Sequence, residues 1–275
     1  MRDQEREESR ASMLVAVDER DLAFVPEARG SGQTFSLYWR SVHARAEEAL
    51  TRGEQLLLAP LVDFAYIRAC NDVGLDPRSK VGFDAYAGRL HPVDELWPFA
   101  GESPEAMLRQ MRREQSAWAM MIRCRTVFGA AQSRFGPQAE VRARDCSAHV
   151  LQALIEEVVG GTQSTAAYGL VTLVAKAAGF ELGAYSFAVE ADARPGVQDR
   201  DRERFTAALG ASLIAGAKGV LTLEIGDARR VQVWELADQR LTPSEHGQLL
   251  LEPDGHDALQ PQPVYVPGPS LPQPI

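Results

Sequence analysis

Four carboxylates fall at the ends of two expected strands: Glu190 and Asp192 close one, Glu224 and Asp227 the other. Acids gathered at strand ends can hold Mg²⁺ or Mn²⁺ for phosphoryl transfer or nuclease chemistry. Such an ion needs several oxygens converging at about 2.0–2.2 Å. No lysine stands two residues after Asp192 or Glu224, and Arg194 is the nearest cation. Gly226-Asp227 also reads as a two-residue hairpin turn, which accounts for the second pair without an ion. The sequence therefore predicts no metal site, no catalytic constellation and no cofactor.

The stretch "GSGQT", Gly30 to Thr34, comes nearest to a phosphate-binding loop. A P-loop needs G-x-x-x-x-G-K-[ST], with glycine amides cradling phosphate and a lysine neutralising it. Here Gln33 occupies the lysine position and Glu27 the leading glycine position. A carboxylate there repels the anion. The expectation is a turn, with Thr34 capping the helix that follows.

Cys146 sits beside His149, and a helix start at Ser147 would let the dipole lower the thiol pKa. The plainer expectation is an ordinary cysteine and a surface histidine. The histidines at 43, 91, 149, 246 and 256 show no metal-ligand spacing. The segment around Gly74, with Arg78 and Lys80, could be read as a helix-turn-helix, but Asp84 and Pro77 argue against it.

The most distinctive pattern follows Ser103-Pro104, an N-cap and a proline at the first helical position. At 100° per residue, Arg109, Arg112, Arg113 and Arg123 share one arc of the predicted helix, opposite Met107, Met111, Trp118, Met121 and Ile122. From Ser103 to Arg144 there are eight arginines against Glu105, Glu114 and Glu140. Such a face fits phosphate in nucleic acid or another polyanion. It fits equally well the protein's own carboxylates.

The elements that must hold these residues read as α+β. Residues 1–11 form a charged tail expected to be disordered. Residues 12–136 form a helix-rich N-terminal region with a short β hairpin, Met13–Val17 and Leu22–Val25. Helices are expected over Phe35–Arg52, stopped by Gly53, then over Pro60–Val73, Ser79–Leu90 and a long span from Pro104. Gly136-Pro137 marks the expected boundary. Residues 138–252 form a region of helices over a small, mostly antiparallel sheet, on which the first region packs. Its expected helices are Ser147–Val159, Thr165–Ala178 and Asp201–Ala215. Its expected strands are Phe180–Glu190, read as central, then Gly219–Ile225 and Arg229–Leu236. Residues 253–275 hold seven of sixteen prolines and are expected to be an extended tail, docked because it carries Val264, Tyr265, Val266 and Leu271.

The totals bound function further. A chain of 275 residues with 45% hydrophobic content buries an ample core. A net charge of −9 repels nucleic acid and anionic lipid over most of the surface. Three cysteines without close spacing suggest a reducing compartment. The N-terminal run carries no apolar signal sequence, and no stretch is long enough to span a bilayer. Only three lysines, with heavy use of Arg, Ala and Gly, suggest a GC-rich bacterial genome. The leading expectation is a non-enzymatic cytosolic regulatory or scaffold protein that binds a protein partner or itself. The alternatives are a polyanion or nucleic-acid binder using the arginine face, and a metal-dependent nuclease or phosphoesterase.

Overall fold

The computed structural model of the chain describes residues 12–28, 34–86, 90, 96–161, 168–177, 179–190, 197–225, 230–244, 264–267 and 271. The fold is α+β, in two compact units, Met1–Ala119 and Met120–Ile275. Gly136-Pro137 lies between two helices, Pro104–Phe135 and Gln138–Gly161. Residues 1–11, the "GSGQ" stretch and most of the proline-rich tail lie outside the described residues.

In the first unit, β1 (Ser12–Ala16) pairs in parallel with β2 (Leu56–Pro60), Leu14 opposite Leu58 and Ala16 opposite Pro60. β3 (Trp97–Pro98) runs antiparallel to β2. The crossover is α1 (Phe35–Thr51), which buries Tyr38, Trp39, Val42, Ala46 and Ala49 along one stripe. Thr34 caps it, accepting from the Leu37 amide, and Gly53 stops it at φ +72°. Two side chains fix the helix laterally. The Tyr38 hydroxyl donates to the Val15 carbonyl at 3.1 Å, and Trp39 Nε1 donates to the Pro104 carbonyl at 3.0 Å.

The expected hairpin does not form. Leu22–Val25 falls largely in a 3-10 helix, Glu19–Phe24, whose N-cap is Asp18. β1 finds its partner across a helix, not across a turn. Pro60, expected to open a helix, ends β2, where its missing N–H costs no ladder bond. The helix α2 starts three residues later (Asp63–Asp72), and a short α3 follows (Lys80–Ala85). Tyr66 is fully buried, with ring centroids 5.5 Å from Phe24 and 5.1 Å from Tyr86, both edge to face.

The helix α4 (Pro104–Phe135) is continuous through the division between the units, and α5 (Gln138–Gly161) follows. In the second unit the sheet order is β5-β4-β6-β7-β8, with β9 also on β7. The strands are β4 (Tyr168–Ala177), β5 (Phe180–Glu190), β6 (Lys218–Ile225), β7 (Arg230–Ala237), β8 (Arg240–Pro243) and β9 (Val264–Pro267). All pairs are antiparallel except β7 with β9. α5 and α6 (Asp199–Ile214) cover the face made by Val171, Leu173, Leu221, Leu223, Trp234 and Leu236.

Two expectations are corrected here. Thr165–Ala178 is not a buried helix; its described part is the strand β4, which lies between β5 and β6. Its apolar residues serve both faces of a sheet, and a short apolar run has no period that separates the two states. β5 is not central. It is the terminal strand, with Phe187 and Val189 buried inward and Ser186 and Ala188 exposed outward. The β7–β8 connection is a two-residue turn with Asp238 at φ 48° and Gln239 at φ 63°, left-handed at both centres as a type I′ turn requires. The Gly226-Asp227 turn lies outside the described residues.

Candidate functional site

The arginine helix begins as the sequence predicts. Ser103 accepts from the Ala106 amide through its hydroxyl and from the Met107 amide through its carbonyl. Met107 and Met111 are fully buried, and Arg109, Arg112 and Arg113 stand on the exposed side. Below them lie the carboxyl ends of β1 and β2. In open α/β arrangements such ends are where ligands bind, so the groups there carry the most weight.

Those groups face one another. Arg112 donates to Asp18 Oδ1 through Nε at 3.1 Å and through Nη2 at 3.0 Å. The same Asp18 oxygen accepts from the Glu19 amide at 2.7 Å, so one carboxylate both caps the 3-10 helix and holds the arginine. Gln115 Nε2 donates to Asp21 Oδ2 at 2.6 Å and lies 2.5 Å from the Leu61 carbonyl at the end of β2. Asp63, at the start of α2, accepts from the Phe64 amide. The cluster is a cross-brace of α4 onto the strand ends. Its acids are spent on the chain's own donors.

Burial pushes the Asp21 carboxyl above its usual range. The Gln115 hydrogen bond partly opposes this, and the Asp63 and Asp18 charges add to it. Native Asp21 thus binds its proton more tightly than unfolded Asp21, which titrates near 3.8. Its contribution to stability is full below that pH and is lost as pH rises through the raised native value. At neutral pH the ionised group opposes folding. Asp21→Asn keeps an oxygen for Gln115 and removes the charge. It should raise the melting temperature at pH 7, and the gain should disappear below pH 3.8. A variant that melts lower than wild type at pH 7 would contradict this account.

Three of the four arginines have partners within the fold. Arg112 is drawn onto Asp18. Arg123, in the second unit, donates to the Glu181 carbonyl at 3.3 Å. Arg113 also has a partner in the fold. Arg109 is exposed and forms no ion pair among the described residues.

The remaining candidates separate. Cys146 lies in the third turn of α5, not at its N-terminus, because the helix starts at Gln138. No free amides face the sulfur there, and burial pushes its pKa up. Cys124, against the Leu182 carbonyl, is pushed up to about 12, first of all by burial. Cys70 is raised for the same reason. In the α2–α3 pair, Lys80 is held by Asp84 at 3.0 Å within α3. Glu224 is exposed, and Asp192 and Asp227 lie outside the described residues. Among the described residues no group of three or more His, Cys, Asp or Glu is placed to hold a metal ion. No described helix is long and apolar enough to cross a membrane.

One surface was not singled out by the sequence patterns. α2 buries Tyr66 and Cys70 and turns Phe64 and Ile67 outward, 40% and 36% exposed and one turn apart. Val73 at its C-cap is 55% exposed, and Val81 in α3 is 64% exposed. A helix with apolar residues on both faces is the available signal, since one buried face needs only one stripe.

Comparison with known proteins yields no match: no family model, no curated protein and no solved structure resembles this chain.

Proposed function

We propose that this chain is a non-enzymatic, cytosolic regulator or scaffold that acts by binding another protein through the outer face of α2. The single observation that carries the reading is the pair Phe64 and Ile67, exposed one turn apart on a helix whose inner face is already anchored by Tyr66 and Cys70. Helix-in-groove recognition uses anchors at this spacing. Burying each side chain fully is worth about 1.5–3 kcal/mol, which gives the helix a reason to keep them in the open. Asp18 and Asp21, beyond the end of β1, are engaged by Arg112 and Gln115, which fits the same reading.

A photo-crosslinking residue at position 67, expressed in a GC-rich bacterial host of the kind the composition suggests, tests it. Discrete protein adducts are expected, and Phe64→Glu should remove them while leaving the melting temperature within about 1 °C, as surface substitutions do. Adducts that survive Phe64→Glu, or none at all, would overturn the reading.

A second reading rests on Arg109, exposed and one turn from Arg112 and Arg113. If the partner is a polyanion, elution from heparin should need salt well above the physiological range, and Arg109→Glu should lower it. Flow-through at low salt would exclude this second reading and leave the first untouched.

A further inference from the structure

We propose that Asp21 is a proton-operated latch that seats the first turns of α2. The latch lies within the first unit and stands whether or not the α2 face docks a protein. Where it does, the latch sets how firmly Phe64 and Ile67 are presented.

The two aspartates of the 3-10 segment are bonded differently. Asp18 takes the Glu19 amide and both Nε and Nη2 of Arg112. Asp21 is 9% exposed, and among the described residues its side chain accepts one hydrogen bond, from the neutral Gln115 amide at 2.6 Å. The charged groups facing it are Asp63 from α2, with Asp18 and Arg20 from its own segment. Arg20 is 91% exposed, where water screens it, and it also reaches Asp18 at 3.7 Å. From the end of α3 comes the Tyr86 hydroxyl, which burial keeps protonated. On α4, Arg112 is held by Asp18, and Gln115 brings no charge. A buried carboxylate with two like charges and one amide donor is relieved by taking up a proton.

The same segment holds the start of α2. Gln115 Nε2 reaches both Asp21 Oδ2 and the Leu61 carbonyl, so one amide ties the 3-10 helix to the residue after β2. Two residues on, α2 begins. Its N-cap is Val62, which has no side-chain oxygen to offer the first turn. Apart from the Phe64 amide on Asp63, that turn depends on what packs against it. Phe24, the last residue of the 3-10 helix, stands edge to face on Tyr66 at 5.5 Å. With Asp21 neutral, nothing on the 3-10 helix repels Asp63 from this position. With Asp21 ionised, the two carboxylates repel and the contact between Phe24 and Tyr66 loosens.

The sign follows from the raised native pKa, which burial causes first of all. The seat is tightest in acid and loosens as pH rises through that raised value.

The test is residue-resolved hydrogen exchange of the full chain between about pH 4 and 8, each rate corrected for its intrinsic pH dependence. In the wild type, protection of the Asp21 and Val25 amides and of amides 66–70 should fall about threefold or more as pH rises, while β2 changes less. In Asp21→Asn the same amides should keep their protection across the range. Asp63→Asn should shrink the wild-type fall. Matching profiles for the wild type and Asp21→Asn, or a fall spread evenly over the first unit, would overturn the proposal. If Asp21→Asn fails to fold, the carboxyl carbon resonance of Asp21 in the wild type decides. The local fall must track that titration, and a fall with a different midpoint sinks the latch. Crosslinking from position 67 plays no part in this readout, so the docking reading and the latch fail separately.

Discussion

Gly219→Val should leave the second unit unable to fold stably, with a loss on the order of 4 kcal/mol or more, the range reserved for changes that force the backbone apart. Gly219 lies near the start of β6, opposite Ala175 of β4 and Leu236 of β7. A Cβ there would run into the Val174 carbonyl oxygen and stand 2.8 Å from the Ala175 Cα. Both are backbone atoms of the neighbouring strand, which cannot swing away as a side chain can. Relief requires that β4 and β6 separate, and they form the middle of the sheet. The informative contrast is Gly129, mid-helix in α4, where a Cβ would meet nothing within 4 Å. Gly129→Ala should be neutral or stabilising by up to about 1 kcal/mol, since glycine is the costlier helix residue. Chemical denaturation followed by tryptophan fluorescence measures both, with Trp234 fully buried in β7 as one reporter. A folded Gly219→Val variant within 1 kcal/mol of wild type would mean that β4 and β6 are not neighbours in this register.

That register was among the things the sequence could not convey. The helices were legible where local chemistry repeats itself. Thr34 and Gly53 bracket α1, Ser103-Pro104 opens α4, and the apolar spacing within each agrees with the caps. The hairpin strands β6 and β7 were legible because their pairing is local. β2 and β4 were not. "LLLAP" is apolar throughout, and in "YGLVTLVAKA" the outward face carries Leu170 and Val174 beside Thr172 and Lys176, so apolar residues on both faces blur the period of two. The engagement of Arg112 and Gln115 was hidden for a related reason. Arg112 and Gln115 sit 94 residues from the aspartates they hold, and nothing near Asp18 or Asp21 announces α4. The arginine face was readable as a pattern, but the pairing of Arg112 with Asp18 is a property of the tertiary fold. Conversely, the exposure of Phe64 and Ile67 follows from which side of α2 the burial of Tyr66 selects, and that choice is made by Phe24 and Tyr86 from elsewhere in the chain.

Deleting residues 258–275 should lower the melting temperature of the second unit by several degrees. The described part of that tail is β9 and Leu271. β9 gives β7 a parallel partner over Arg230–Val233, the half that β8 does not reach. Without it, that half of β7 becomes a bare margin beside Val231 and Val233, which belong to a small buried cluster with Val220. Leu271 is 5% exposed, and a leucine buried to that degree contributes about 1.5–3 kcal/mol. The ladder adds bonds worth about 1 kcal/mol each. Ordering the tail opposes these gains at about 1–2 kcal/mol per residue, less for its prolines, whose backbone is already restricted. For the tail to stay docked these gains must exceed its ordering cost, so truncation lowers stability, at roughly 2–4 °C per kcal/mol lost for a unit of this size. Leu271→Ala should reproduce most of it without removing the strand. If the tail instead served only a partner, truncation would leave the melting temperature where it was, and hydrogen exchange in Arg230–Val233 would be the same with and without it. Faster exchange in those four residues, with β6 unchanged in the folded state, is the result that assigns the loss to β9.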